Sequence, residues 1–303
     1  MEQSQLLRDI TPYVYGTTRL GDEAIPEEER ITVARAAMNA GLWFHTSRQY
    51  NDALEILGKA FTRDPSRVPP LIVKLIGDTS EELRQQIDVN IGPLGVDHIE
   101  LGQLCLGEEL AKEFAIGGPC YKEFEKLKSE GLVSRFVLEV FPWTSDAPLH
   151  ALKAGYPEGI IDGYIFYLNP LQRFAANELW DVLMERKQPI IAMRTVSGGN
   201  VHRLRDVPGA AWKDYLQKRA VEVAPIFERS GIESWTEFCV RFAHSFPNVR
   251  ATVGSSSKVE HLNAFLAAAS TTTPLPQDIV DKIVRLQYRW SDETDIHAEP
   301  WSM

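Results

Sequence analysis

Leu71-Ile72-Val73-Lys74-Leu75-Ile76 is a short run, rich in β-branched residues, apolar at both odd and even positions except for one lysine. A strand with that pattern is covered on both faces, which is the habit of parallel sheets whose crossovers lay helices over them. Runs of the same kind recur at Ile10–Thr17, Leu42–Thr46, His98–Leu106, Arg135–Phe141, Ile161–Leu168, Pro189–Val196 and Val249–Gly254. Helical periodicity fills the intervals, at Glu27–Ala40, Ala53–Phe61, Ser80–Ile91, Tyr121–Ser129, Leu149–Ala154, Asn177–Arg186, Asp214–Arg229 and Lys258–Ala269. In the first of these, Ile31, Ala34, Ala37 and Met38 share one helical face, and Glu27, Glu28 and Arg30 are expected to stay wet.

Strand and helix alternating eight times predict an α/β fold in which a closed parallel sheet is ringed by helices, a (β/α)8 TIM barrel. A doubly wound open sheet shares the local signals, but no G-x-G-x-x-G follows the first strand. Ser197–Trp212 exceeds an ordinary βα loop and reads as a flap over the barrel mouth. Leu275–Tyr288 reads as an extra helix, and Ser291–Met303 as a polar tail. No linker rich in Pro, Gly and Ser divides the chain, so residues 1–303 are expected to form a single domain.

With 32 Lys and Arg against 42 Asp and Glu, the net charge is −10, so nucleic acid is not an expected partner. The chain opens on polar residues, and no apolar run approaches the roughly 18 residues of a membrane span. Its three cysteines, Cys105, Cys120 and Cys239, lie far apart without metal-ligand spacing, which suits a reducing cytoplasm. A small-molecule substrate, no membrane, no metal, and either a monomer or a homodimer are the resulting expectations.

Reacting groups of a barrel project from the C-terminal ends of its strands. There the sequence offers His45, Tyr50, Lys74, Cys105, Glu139 and Arg194. An ammonium inside the Leu71–Ile76 strand needs an anion or a phenol beside it, unless it snorkels to solvent. Beside a cation, a phenol ionises more readily and works better as a proton donor or base.

Several segments in order resemble the aldo-keto reductase superfamily. They are Gly16-Thr17-Thr18-Arg19-Leu20-Gly21, Ala40-Gly41 through His45-Thr46-Ser47-Arg48-Gln49-Tyr50, Leu54 to Lys59, Leu94 to Leu101, Leu127 to Gly131, Asn169-Pro170-Leu171-Gln172, and Val253-Gly254-Ser255-Ser256-Ser257-Lys258. The resemblance spans nearly the whole chain. It implies a barrel that reduces aldehydes and ketones, or oxidises alcohols, with NADP(H) at its mouth and an Asp, Tyr, Lys and His tetrad.

Carried over by position, the Tyr falls on Tyr50 and the Lys on Lys74, but the Asp position holds His45 and the His position Cys105. The cofactor residues the resemblance implies are Gly16, Thr17, Thr18, Glu139, Asn169, Met193, Arg194, Ser255, Ser256, Ser257 and Lys258. Several depart from the pattern. Glu139 and Val140 stand where the family's Ser-Asn pair binds the nicotinamide amide, Ile165 where its Gln stands, and Met193 where an aromatic ring often stacks. The phosphate contacts fall near His261 and Phe265. The run Ser255 to Lys258 keeps the makings of a phosphate site, and equally of a helix cap.

Without the Asp, Lys74 needs another anion, and Glu139 two strands round the ring is the expected partner, in the space of the nicotinamide amide. Cys105 reads as a small buried hydrophobe, or as a thiolate if His45 supplies a cation. His45 reads as an acid or base near pH 7. Three functions stay open: an NADP(H)-dependent oxidoreductase using Tyr50 and Lys74; a lyase, dehydratase or isomerase using His45, Tyr50 and Lys74 without a hydride; and a non-catalytic binding protein.

Overall fold

The computed structural model describes residues 6–196, 214–270 and 273–293, with the backbone alone at 214 and 215. Eight parallel strands close into a barrel. They are β1 (Tyr13–Gly16), β2 (Trp43–Thr46), β3 (Leu71–Gly77), β4 (Ile99–Leu106), β5 (Val133–Glu139), β6 (Ile161–Asn169), β8 (Ile190–Met193) and β9 (Val249–Ser255). They run in the order β5-β4-β3-β2-β1-β9-β8-β6, and β5 pairs with β6 to leave no edge, as expected of a (β/α)8 barrel. A two-residue strand, β7 (Gln172–Arg173), turns back antiparallel on the end of β6.

The helices are α1 (Glu27–Asn39), α2 (Ala53–Arg63), α3 (Ser80–Leu94), α4 (Glu108–Ala115), α5 (Cys120–Ser129), α6 (Asp146–Ala154), α7 (Asn177–Glu185), α8 (Asp214–Arg229), α9 (Trp235–His244), α10 (Val259–Ser270) and α11 (Gln277–Glu293). The start of α3 illustrates how sequence sets the edges of elements. The Thr79 side chain accepts from the Glu82 N–H at 3.2 Å, and the Glu82 carboxylate reaches back to the Asp78 N–H at 2.6 Å, a reciprocal cap that fixes where β3 gives way to helix. Close approach of α2 to α3 depends on Gly58, where a Cβ would lie 2.1 Å from the Pro93 carbonyl oxygen.

Strand 1 is shorter than expected, because Ile10 belongs to a turn that precedes it. Strand 5 begins earlier and ends at Glu139, since Phe141 accepts hydrogen bonds from a 3-10 turn at Pro142–Thr144. Arg30 is buried, contrary to its expected exposure. Its guanidinium donates to the Leu20 carbonyl at 2.7 Å and to Asp52 at 2.6 Å, pinning the first loop to α2. Residues 197–212, the expected flap, and residues 294–303 of the expected tail lie outside the described residues, while residues 291–293, expected to open that tail, belong to α11.

Side chains that meet across the interior identify the inward parity of each strand. Arg135 of β5 lies over the Trp43 ring of β2 at 5.4 Å, although two strands separate them in the sheet. His45 of β2 meets Gln103 of β4, and Lys74 of β3 meets Glu139 of β5. The residues at 43 and 135 therefore fill the N-terminal end, while 45, 74, 103 and 139 fill the C-terminal end. Leu7, almost fully buried, seals the bottom beside Gly163, where a Cβ would meet its Cδ1 at 2.8 Å.

Candidate active site

Lys74 is held where its strand places it, in the interior and out of water. Its Nζ donates to Glu139 Oε1 at 3.0 Å, and both side chains are nearly inaccessible, at 7% and 2%. Burial alone would strip the proton from an ammonium, but the Glu139 charge opposes this, with smaller help from Tyr50, Cys105 and Tyr167. The net result raises the Lys74 pKa above its ordinary value. The ammonium keeps its proton through the neutral range. The Lys74–Glu139 ion pair expected from sequence is formed.

The second carboxylate oxygen of Glu139 accepts from the Cys105 thiol. Burial and the Glu139 charge push the thiol pKa well up, outweighing the Lys74 charge. Cys105 is thus a protonated donor to Glu139, in a half-buried position at the end of β4. Sequence had left a thiolate beside a cationic His45 open, and His45 does not supply that cation. Burial and the Lys74 charge depress its pKa to about 4, so the imidazole is neutral near pH 7. Its Nε2 is 2.7 Å from Gln103 Oε1.

Gln103 was missed in the sequence, although it sits at the same parity as Cys105 in an apolar strand, in register with Lys74. Its amide ties the floor together: it also donates to Met193 Sδ at 3.7 Å. Tyr50 stands over this floor, its ring 6.2 Å from that of His45. Burial raises its pKa, the Lys74 charge lowers it, and Glu139 and Tyr167 raise it again, with the Thr18 side chain exerting a smaller lowering influence. The net shift is upward, so the phenol stays neutral near pH 7 while feeling the Lys74 charge.

Beyond Glu139 the mouth is aromatic. Tyr167 stacks on Phe174 at 4.4 Å and carries the Arg194 guanidinium over its ring at 5.0 Å. Phe141 and Trp143 stack on each other at 4.9 Å against the same cluster. Tyr167 was also missed, and strand parity points to it, two residues beyond Ile165. Arg194 adopts a left-handed backbone, φ +46°, a conformation that non-glycine residues hold only when surroundings impose it.

The remaining cofactor candidates divide into two kinds. Gly16 ends β1 in tight packing, Thr17 bonds the His45 carbonyl at 3.1 Å and the Thr46 hydroxyl at 2.8 Å, and both serve the β1–β2 junction. The Asn169 amide group donates to Gln172 and to the Arg194 carbonyl, and its oxygen accepts from the Leu171 N–H, so it shapes the turn after β6. Met193 is buried against Gln103. The Ser255 hydroxyl accepts from the Arg19 N–H at 2.9 Å, and Ser256 bonds the backbone of Lys258. Ser257 and Lys258 lie just ahead of α10, with Lys258 exposed. Among the described residues no cluster of His, Cys, Asp or Glu is suited to a metal.

The sequence matches the Aldo/keto reductase family over residues 12–287. The chain belongs to that family. As a family member it shares its fold with an aldo/keto reductase of Klebsiella pneumoniae crystallised with NADP and acetate, at 17% identity, TM-score 0.68 and 92% coverage of both chains. An aldo-keto reductase of Bacillus halodurans in its holo form is similar at 19% identity and TM-score 0.68, covering 91% of this chain and 92% of that one. A second Klebsiella pneumoniae structure, with NADPH, has 18% identity and TM-score 0.69, again covering 92% of each. No curated protein matches the chain significantly. Among the described residues, no helix of this family member is long and apolar enough to cross a membrane.

Proposed function

We propose that the barrel mouth interconverts a small carbonyl compound and its alcohol, with Tyr50 as proton donor or acceptor, Lys74 tuning it, and NADP(H) as the redox partner. The observation that carries this reading is a half-buried phenol over the site floor that feels the charge of an ammonium paired with a buried carboxylate. A phenol in that state donates its proton to a carbonyl oxygen as negative charge develops there. The neighbouring ammonium stabilises the tyrosinate left behind, and in the reverse direction the tyrosinate takes the alcohol proton. His45 suits a base for hydride-free proton transfer less well, because its ring is bonded to Gln103 and its basicity is depressed to about 4.

NADP(H), when bound, supplies or accepts a hydride. The donor set at the start of α10 suits its phosphates: Ser257, the Lys258 ammonium and the first-turn N–H groups of a 12-residue helix. At the other end, both Glu139 oxygens are engaged and the Asn169 amide is spent on its own turn, so the phosphate end carries more of the grip. Arg194, at the rim, supplies a further positive charge. That fold neighbours were crystallised with NADP and NADPH supports this choice of cofactor. The same reading takes residues 1–303 as one cytoplasmic domain, monomeric or homodimeric, acting on a small molecule.

The test is NADPH consumption by the purified chain against a panel of aldehydes and ketones, with thermal melts in parallel. Cofactor at 100 times its Kd should stabilise the fold by about 2.7 kcal/mol. Tyr50→Phe should leave that stabilisation intact and lower turnover by roughly 10²–10⁴-fold. Failure of millimolar NADPH to shift the melt removes the redox reading. A melt shift without turnover on any carbonyl favours a binding protein.

A further inference from the structure

We propose that Arg194 and the Tyr167 hydroxyl form a seat for a single carboxylate, and that the mouth takes carbonyl compounds carrying one carboxylate on an aromatic or bulky apolar body. This deepens the reading of the mouth as a carbonyl site and rests on it. The two ends of the barrel hold their arginines differently. Arg135 at the bottom is paired with Asp9 and Glu100, whereas among the described residues no carboxylate pairs with Arg194. Its guanidinium lies over the Tyr167 ring, which satisfies part of the charge but accepts no ordinary hydrogen bond, so the N–H fork is left for another partner.

The surroundings fix this placement. Asn169 donates to the Arg194 carbonyl at 3.0 Å, and the buried Thr195 hydroxyl closes back on the Ala192 carbonyl at 2.9 Å, so the left-handed residue is tied from both sides. Asn169 is anchored in turn from α11, where the Gln287 amide donates to its carbonyl at 2.9 Å. Backbone strain that is over-determined in this way clusters at ligand clamps. Tyr167 supplies an independent observation: it is only 6% accessible, yet among the described residues its hydroxyl has no hydrogen-bond partner. A buried phenol ordinarily finds one. The charges that reach it select the ligand. They are Arg194, Lys74 and Glu139, and because the last two cancel as an ion pair, one positive charge remains, enough for a monoanion and short of a phosphate dianion. Phe141, Trp143 and Phe174 continue the apolar wall beside Tyr167, which suits an aromatic body. Tyr50 feels Tyr167, so a carboxylate seated here leaves the rest of the molecule to extend toward the proton-transfer phenol.

The experiment compares 4-formylbenzoate with its methyl ester by calorimetry, on the purified chain with and without NADP+, using whichever state binds the acid more tightly. The acid is expected to bind about 10–100-fold more tightly than the ester. Arg194→Met should erase that preference, and Arg194→Lys should restore part of it, since an ammonium carries the charge without the fork. Tyr167→Phe, which keeps the ring, should weaken the acid by about 2–10-fold and leave the ester unmoved, and it serves where Arg194→Met does not fold. Equal affinities, no binding of either compound, a preference that survives Arg194→Met, or an acid affinity indifferent to Tyr167→Phe would each overturn the assignment. So would loss of NADPH binding in Arg194→Met with the acid unaffected, because the arginine would then serve the cofactor alone. Turnover of neutral aldehydes without an acid preference sinks the carboxylate seat and leaves the redox reading standing; an acid preference without turnover of any carbonyl does the reverse.

Discussion

The two ends of the barrel are built from the same strands and treat charge in opposite ways. β2 contributes Trp43 below and His45 above; β5 contributes Arg135 below and Glu139 above. At the bottom, the Arg135 guanidinium pairs with Asp9 at 2.8 Å and Glu100 at 3.0 Å, but its side chain is 21% accessible and that of Asp9 56%. At the top, Lys74 and Glu139 are sealed from water. An exposed pair is worth little, since water and salt screen it, whereas a buried pair offsets a large desolvation cost that becomes apparent when one partner is removed. The N-terminal end can thus be read as closure, and the C-terminal end as a place where charge is held against its solvation preference. Such places attract function.

The largest expected effect follows from breaking the upper pair. Glu139→Leu or Lys74→Met alone should cost about 3–5 kcal/mol in urea unfolding, because each leaves a buried charge without its partner. The double variant Lys74→Met with Glu139→Leu should recover most of that loss while abolishing any turnover that uses Tyr50. Singles that cost under about 1 kcal/mol would mean that the upper pair is as well solvated as the lower one, and the contrast would vanish. The pH dependence has a definite sign. The folded pKa of Lys74 is raised, so its contribution is complete below the unfolded value and is lost only as pH rises through the folded one, far into the alkaline range.

A somewhat smaller effect belongs to His45. Its pKa is depressed from 6.5 to about 4, so the folded state prefers the neutral ring. Stability from this group is complete above the unfolded pKa and falls as pH drops from 6.5 through 4, by about 3 kcal/mol over the window. His45→Gln keeps a polar group near Gln103 without a titrating ring. Its unfolding free energy should therefore decline less than wild type between pH 7 and pH 4. Parallel curves for the two proteins would show that the ring is solvated in the folded state.

How much of this was legible in the sequence can be judged from individual residues. Doubly apolar strands and 3.6-residue periodicity sufficed for the barrel, because burial on both faces of a strand has few architectural solutions. Two helices, α4 and α9, were overlooked. For α9 a signal existed: Ser234 and Glu237 have capping-box spacing, and the Ser234 hydroxyl accepts from the Glu237 N–H at 3.2 Å. Arg30 was misplaced because periodicity around one helix says nothing of a loop that folds onto it, and the Leu20 carbonyl and Asp52 come from elsewhere in the chain. At the site, the Lys74–Glu139 pair could be anticipated from an orphaned lysine and a candidate anion on a nearby strand. The state of His45 could not, since it depends on a glutamine from β4 and on how completely water is excluded. Residue type fixes what a group can do, and burial decides its charge.

The smallest expected effect tests the other half of the contrast. Asp9→Asn removes a charge at the bottom of the barrel while leaving Arg135 its Glu100 partner and its place over Trp43. The Arg135 hydrogen bond lowers the Asp9 pKa, so whatever stability the pair gives is present above the unfolded carboxylate value and declines as pH falls through the folded one. With Asp9 more than half accessible, screening keeps the amount within about 1 kcal/mol, and added salt should erase much of it. A double-mutant cycle of Asp9→Asn with Arg135→Met should give a coupling of roughly 0.2–1 kcal/mol. Coupling that large or larger and insensitive to salt would mean that the lower end, too, shields its charges, and exclusion of water would then be a property of the whole barrel axis rather than of its mouth.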